Sequence, residues 1–159
     1  MKITVISIGK LKEKYLKSGM DEYIKRLSRY CVIEQIELSD EKCPESLSPA
    51  EKEMIKDVEG KKILSRLKPG TYIISLEIDG KMLSSEALSS FIEKVTISGK
   101  NHITFLIGGS LGLSDEVKNK SDFSLSFSKM TFPHQMMKLI LLEQIYRSFR
   151  ILKNEPYHK

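Results

Sequence analysis

Apolar residues along the chain switch repeatedly between the alternation of a strand and the three-to-four spacing of a helix. Lys2–Gly9 alternates β-branched residues and closes on glycine, which predicts a first strand. Leu11, Tyr15, Leu16, Met20, Tyr23, Ile24, Leu27 and Tyr30 recur at helical spacing and predict an amphipathic helix over Lys10–Arg29. Cys31–Leu38 alternates as a second strand, and Ser39–Leu47 is a charged surface loop. Ser48-Pro49-Ala50-Glu51 spells a helix start, with Ser as N-cap, Pro at the first helical position and Glu completing a capping box. Met54, Ile55, Val58, Ile63, Leu64 and Leu67 form the expected buried side of that helix, and Lys68-Pro69-Gly70 stops it.

Thr71–Ile78 is apolar on both faces, as a central strand covered on both sides should be, and Asp79-Gly80-Lys81 is read as a turn. Ser84 caps a helix with Ala87, Leu88, Phe91, Ile92 and Val95 inward. Ile103–Ile107 is a fourth strand, Ser114–Asn119 a short helix and Phe123–Phe127 a fifth strand. Pro133 then opens a long final helix at its first position. Regular alternation without a Pro-, Gly- or Ser-rich linker predicts one α/β domain over residues 1–159, a mostly parallel sheet with helices on both faces.

The final helix is unusually apolar. Met136, Met137, Leu139 to Leu142, Ile145, Tyr146 and Phe149 cover much more than one stripe, while Glu143, Arg147 and Arg150 form a narrow polar face. Such a helix must be covered on two sides. One side faces the sheet, and the other is expected to meet a second copy of the chain in a two-fold homodimer. A helix sunk in its own core is the competing reading.

Composition narrows the class of protein without choosing a substrate. Forty per cent hydrophobic and 30% charged residues suit an ordinary globular chain, and no apolar run approaches the ~20 residues needed to span a bilayer. Cys31 and Cys43 have neither redox nor metal-ligand spacing, which fits a reducing cytoplasm. No metal is expected, because neither His134 nor His102 stands near a second ligand-type residue. His134 is assigned a structural role after the helix-opening Pro133. The net charge of +5 is compatible with a polyanionic partner without demanding one. Lys12, Lys14, Lys17, Lys25, Arg26 and Arg29 on the first helix read first as a solvated face, with a phosphate-contacting surface as the sharper alternative. Arg147, Arg150 and Lys153 near the end of the last helix either bind RNA phosphates or complement the helix dipole.

Chemistry concentrates between Phe105 and Phe149. Two strand ends run into backbone-rich turns, Ile107–Gly112 and Phe127–Phe132, and the second turn feeds the last helix. In an open α/β sheet, ligands bind in the crevice outside the carboxyl ends of the strands. Gly108 and Gly109 are expected to let a ligand approach closely where a Cβ would obstruct it. Gly108-Gly109-Ser110-Leu111-Gly112 lacks the register of a dinucleotide loop and the Lys-Ser/Thr of a phosphate loop.

The Ile107–Gly109 turn, the run Ser126–Gln135, Glu143-Gln144-Ile145-Tyr146-Arg147 and the terminal Tyr157-His158-Lys159 together resemble the ribosomal large-subunit methyltransferase H family of the SPOUT superfamily, over the whole chain. The resemblance implies a C-terminal trefoil knot, a homodimer and S-adenosyl-L-methionine bound in the knot. It also implies methylation of N3 of a pseudouridine in 23S ribosomal RNA on the assembled ribosome, with no DNA or membrane partner. The implied cofactor contacts fall on Leu76, Gly108, Phe127, Ser128, Lys129, Met130, Thr131 and Phe132. His158 is the candidate base for the departing imide proton and Tyr157 a candidate stacking partner for the target base, both on a tail that could serve the pocket of either subunit. Lys138 departs from the family, standing where relatives often have Arg. A non-catalytic, ribosome-binding module that keeps the knot is the alternative.

Overall fold

The computed structural model describes residues 1–158; Lys159, the last residue of the terminal motif, lies outside them. Five strands, β1 (Lys2–Ile8), β2 (Val32–Leu38), β3 (Tyr72–Met82), β4 (His102–Ile107) and β5 (Phe123–Ser126), form one sheet in the order β2-β1-β4-β3-β5. Every pairing is parallel. Helices α1 (Lys14–Leu27), α3 (Ser85–Ile97) and α5 (His134–Leu152) pack together on one face, while α2 (Pro49–Leu64) and α4 (Asp115–Lys120) pack together on the other. Connections moving toward β2 use the first face and those moving toward β5 the second, as right-handed crossovers require. The strands sort their side chains by the period of two: Ile3, Val5, Ile103, Phe105 and Ile107 enter the core beneath α1, α3 and α5, and Ile6, Ile8 and Leu106 enter the smaller core beneath α2 and α4.

The capping box of α2 is present, with Ser48 and Glu51 bonding each other's backbone N–H, and Ser84 caps α3 through the N–H of Ala87. Four expectations need correction. The first helix starts at Lys14, not Lys10, because tertiary acceptors take the preceding N–H groups: Glu37 accepts from Leu11, and Gln135 accepts from Lys12 at 3.0 Å. Asp79-Gly80-Lys81 does not end β3. The chain loops out after Leu76 and re-pairs at Lys81 with the same residue, Leu125, so the turn is an excursion inside a longer strand. Gly80 is required there, since a Cβ would lie 2.8 Å from the Leu125 carbonyl carbon. On α2, Met54 and Val58 are exposed, whereas Glu59, Gly60 and Ile63 are buried. The helix turns its glycine inward because it seats on Ser114, whose Oγ would be 2.2 Å from a Cβ at residue 60.

The fourth correction concerns the last helix, which Pro133 caps from an extended conformation one position before the first helical residue. Leu141, Leu142, Ile145, Tyr146 and Phe149 are buried within the protomer, because α1 and α3 flank α5 on either side while the sheet covers a third. The chain itself thus covers one part of the apolar width, while Met136, Met137, Leu139 and Ile140 remain half-buried.

The start of α5 is pinned far from the end of β5. Lys138 is buried, and its ammonium donates to the Gly9 carbonyl at 2.7 Å and to Glu37 Oε1 at 2.8 Å. Residues 127–133 must therefore travel from the edge strand past the carboxyl ends of β3 and β4 to reach β1 and β2. That is about 14 Å at ~4.8 Å per strand spacing. Truncating Glu37 leaves the Lys138 charge buried with one acceptor, so Glu37→Ala is expected to cost about 3 kcal/mol of unfolding free energy. Lys138→Met, which removes the charge with the side chain, should cost less, and urea denaturation of the two variants measures the order.

Candidate active site

The crossing segment, the Gly108–Leu113 loop after β4 and the excursion in β3 enclose a cavity of about 690 Å³ at the carboxyl ends of the strands. Leu76, Leu125, Phe127, Phe132 and Met137 give it apolar walls, and the two glycine-rich and Ser/Thr-rich turns present backbone along its rim. Of the residues expected at a ligand, Leu76, Gly108, Phe127, Ser128, Met130, Thr131 and Phe132 all line this cavity. Lys129 does not line it: its ammonium points to Asp79 at 3.5 Å and to the Ile78 carbonyl at 3.4 Å. Ser126 Oγ stabilises the turn by donating to the Ile78 and Ser128 carbonyls, at 2.9 and 3.1 Å, and Ser128 Oγ accepts the Met130 N–H at 3.0 Å.

The glycine pair works differently from the expectation of close ligand approach. A Cβ on Gly108 would sit 2.6 Å from the backbone carbon of Gly112, and one on Gly109 would sit 2.9 Å from Glu59 Oε2. Both vacancies are filled by the chain itself. Gly112, at φ +85°, completes the turn with its N–H donated to the Gly109 carbonyl at 3.1 Å. Glu59 is buried behind this turn and accepts the Glu41 N–H at 2.9 Å, and burial raises its pKa above the ordinary carboxylate value.

Three polar residues of the cavity escaped sequence reasoning. Glu77 accepts from Ser124 Oγ at 2.8 Å and from Ser75 Oγ at 2.5 Å, with Lys118 Nζ at 3.8 Å on its other oxygen. An acid inside the apolar Thr71–Ile78 run was the available signal. Lys118 and Lys56 reach the cavity from α4 and α2, outside any motif. His134 also lines it, with its ring Nε2 2.8 Å from the position a Gly9 Cβ would take.

Tyr157 and His158 are absent from the cavity wall. Asn154, at φ 52°, ends α5 in a Schellman turn, with Glu155 N–H donated to Arg150 O at 2.9 Å and Asn154 N–H to Ile151 O at 3.0 Å. The turn folds the tail back along its own helix. Tyr157 Oη donates to Glu143 at 3.1 Å and its ring meets Tyr146 edge-on. His158 accepts from Arg147 at Nδ1, 3.2 Å away, and Nε2 lies 2.7 Å from Glu86; because guanidinium can only donate and carboxylate accepts, the proton belongs on Nε2. Arg147 lies thirteen residues beyond the cavity-lining His134, about 20 Å along the helix at ~1.5 Å per residue.

A parallel sheet with a backbone-rimmed cavity outside its carboxyl ends is the architecture of an α/β enzyme that binds a small organic ligand. The chain belongs to the SPOUT methyltransferase family: the family model described as "Predicted SPOUT methyltransferase" matches residues 1–158. It is similar over its full length, and that of each relative, to proteins named "Ribosomal RNA large subunit methyltransferase H" from Clostridioides difficile strain 630, at 60% identity, and Alkaliphilus oremlandii, at 59%. Among solved structures it is similar to a probable methylase family protein from Haemophilus influenzae Rd KW20, with a TM-score of 0.52 and 10% identity over 99% of this chain and 70% of that one, a likeness of fold alone.

Two predictions come from the site. Gly108→Ala pushes the loop off its own backbone and should lower the thermal midpoint while reshaping the cavity; an unchanged midpoint and crystal structure would contradict this. Burial, and then the neighbouring Lys138 charge, hold His134 below its ordinary value of 6.5, and burial first does the same to His102. A ring whose folded pKa lies below the unfolded one binds fewer protons in the native state. Its stabilising share is therefore complete above 6.5 and lost as pH falls through the folded value. Unfolding free energy should decline from pH 6.5 downward, and His134→Gln should flatten part of that decline in a pH series of denaturation curves.

Proposed function

We propose that this methyltransferase transfers a methyl group from S-adenosyl-L-methionine to N3 of a pseudouridine in 23S ribosomal RNA on the assembled ribosome, acting in the cytoplasm as a homodimer. The observation that carries the reading is the cavity itself: its volume of about 690 Å³ falls within the ~300–1,000 Å³ that encloses most of a small organic ligand. Full-length similarity to proteins named as ribosomal RNA methyltransferases supports the substrate. The lining fits the donor. Leu76, Leu125 and Phe127 suit an adenine face, the main chain of 108–112 and 127–132 suits its polar edge, and Lys56, Lys118 and Glu77 suit a zwitterionic amino-acid moiety.

When bound, S-adenosyl-L-methionine supplies a methyl group on a sulfonium whose positive charge disappears as the methyl leaves. The chain's own share is to orient, to exclude water and to handle one proton. Phe127, Phe132 and Met137 keep the cavity dry, which favours a step that dissipates charge. His158 takes the N3 proton of the acceptor through Nδ1 once Arg147 is displaced from it, and Tyr157 stacks on the target base.

Because the tail is anchored along its own α5 and away from its own cavity, we assign it to the cavity of the partner. The outer stripe of α5, with Met136 and Ile140 half-buried, is the contact we assign to the two-fold interface. The trefoil knot belongs to the same proposal, as the threading of the 127–133 crossing through the loop that follows β4.

Titration calorimetry with S-adenosyl-L-methionine, followed by mass mapping of the nucleotide methylated on ribosomes lacking the modification, tests the reaction; absence of binding, or methylation elsewhere, would overturn it. His158→Ala should lower the transfer rate by about 10²- to 10⁴-fold with donor affinity unchanged. Mixed dimers of His158→Ala with Gly108→Val should recover activity that neither variant has alone. Inactive mixed dimers would return the tail to its own subunit.

A further inference from the structure

A second cavity, of about 390 Å³, lies between the carboxyl-terminal ends of α1 and α5. Lys25, Arg26, Arg29 and Arg150 converge on it against one carboxylate, Glu22. Helix-dipole complementation accounts for the positive charge at the end of α1. The same complementation covers Arg150 in the last turn of α5, but it does not account for two helix ends converging on one groove, nor for the aromatic floor. Arg26 lies over the Tyr23 and Tyr146 rings at 5.5 and 5.8 Å, and Arg150 lies over Tyr146 at 5.8 Å, so both guanidinium planes are fixed in advance. Arg26 is paired with Glu22 at 2.8 Å, whereas Lys25 and Arg29 are exposed and have no carboxylate within ion-pair distance among the described residues.

One end of this groove already holds an oxyanion. Glu155, from the tail, places Oε2 at 2.6 Å from Arg150 Nη1 and accepts the Tyr30 hydroxyl, and Arg150 Nη2 donates to the Pro156 carbonyl at 2.9 Å. The internal carboxylate leaves the set incomplete, since the Arg150 Nε–H is buried with no acceptor among the described residues. An RNA phosphodiester offers the same charge with more acceptor oxygens and suits the planar fork of arginine.

Resting on the RNA-methyltransferase reading above, we infer that this groove binds the phosphate backbone of the RNA substrate, and that a phosphate on Arg150 and Tyr30 displaces Glu155. Displacement removes the ion pair that holds residues 155–156 against α5. That leaves the two residues beyond them held only by their own contacts, Tyr157 to Glu143 and Tyr146 and His158 to Arg147 and Glu86, so RNA loosens the base of the tail without releasing its tip.

Fluorescence polarisation of a short fluorescein-labelled RNA of mixed sequence, with the full chain across a series of potassium chloride concentrations, tests the inference. Lys25→Ala/Arg29→Ala should bind roughly tenfold more weakly, with the slope of log affinity against log salt reduced by about 1.4, two contacts at ~0.7 each. Glu155→Gln, which removes the internal competitor, should bind several-fold more tightly. Unchanged affinity and slope in the double variant would overturn the groove as the RNA site, as would equal competition by poly-glutamate and poly-uridylate, which would point to an acidic protein partner. Unchanged or weaker binding by Glu155→Gln would overturn the displacement. S-adenosyl-L-methionine titrated into the same variants should bind as in the parent chain. If RNA binds as expected while the donor does not bind even the parent, the methyltransferase reading fails and the groove stands.

Discussion

A single buried ammonium sets the geometry on which the site depends. Lys138 sits in the first turns of α5 and reaches the Gly9 carbonyl and the Glu37 carboxylate, at the ends of β1 and β2. The preceding strand, β5, lies at the opposite edge of the sheet. Holding the helix start beside β1 compels residues 127–133 to run across the carboxyl ends of β3 and β4, and that forced crossing roofs the cavity. Glu37 also accepts from the N–H of Leu11, so the same carboxylate delays the start of α1 and frames the near side of the opening.

The walls of the cavity are stabilised by contacts the chain makes with itself. The Gly108 turn closes on the backbone of Gly112 and Leu113, the Gly109 position rests on the buried Glu59, and the excursion in β3 lies against the backbone of β5 at Gly80. Glycine serves at each point because backbone or carboxylate occupies the volume a Cβ would need. A site shaped in this way presents main-chain donors and acceptors in fixed positions, with Glu77, held by Ser75 and Ser124, as its half-buried charge. The tail is the opposite case. A Schellman turn, half-buried ion pairs and the packing of Tyr157 on Tyr146 keep it on α5, with His158 and Glu86 paired at the more exposed end.

Much of the fold was legible in the sequence because each element carried its own signal. The Ser48–Glu51 capping box, the Ser84 cap, and the change of period at each strand gave all ten elements, and the Ile107–Gly112 and Phe127–Phe132 turns marked the cavity. The errors came where tertiary contacts outweigh local pattern. Met54 and Val58 read as core by spacing, yet Gly60 had to face Ser114, and the helix rotated them outward. The apolar breadth of α5 read as a subunit contact, and α1 and α3 of the same chain cover only its Leu141, Leu142, Ile145, Tyr146 and Phe149 side, leaving Met136, Met137, Leu139 and Ile140 half-buried. The roles of Lys138, Lys118 and Glu77 were invisible because each depends on a partner distant in sequence.

The central claim is that the crossing segment and the Gly108–Leu113 loop together hold the methyl donor. Hydrogen–deuterium exchange of the chain with and without S-adenosyl-L-methionine tests it most directly. Slower exchange at backbone amides in both 108–113 and 127–133, with the distant end of α2 unchanged, is the predicted result. Saturation by the donor with no protection in either segment, or with protection confined to another part of the sheet, would contradict the account.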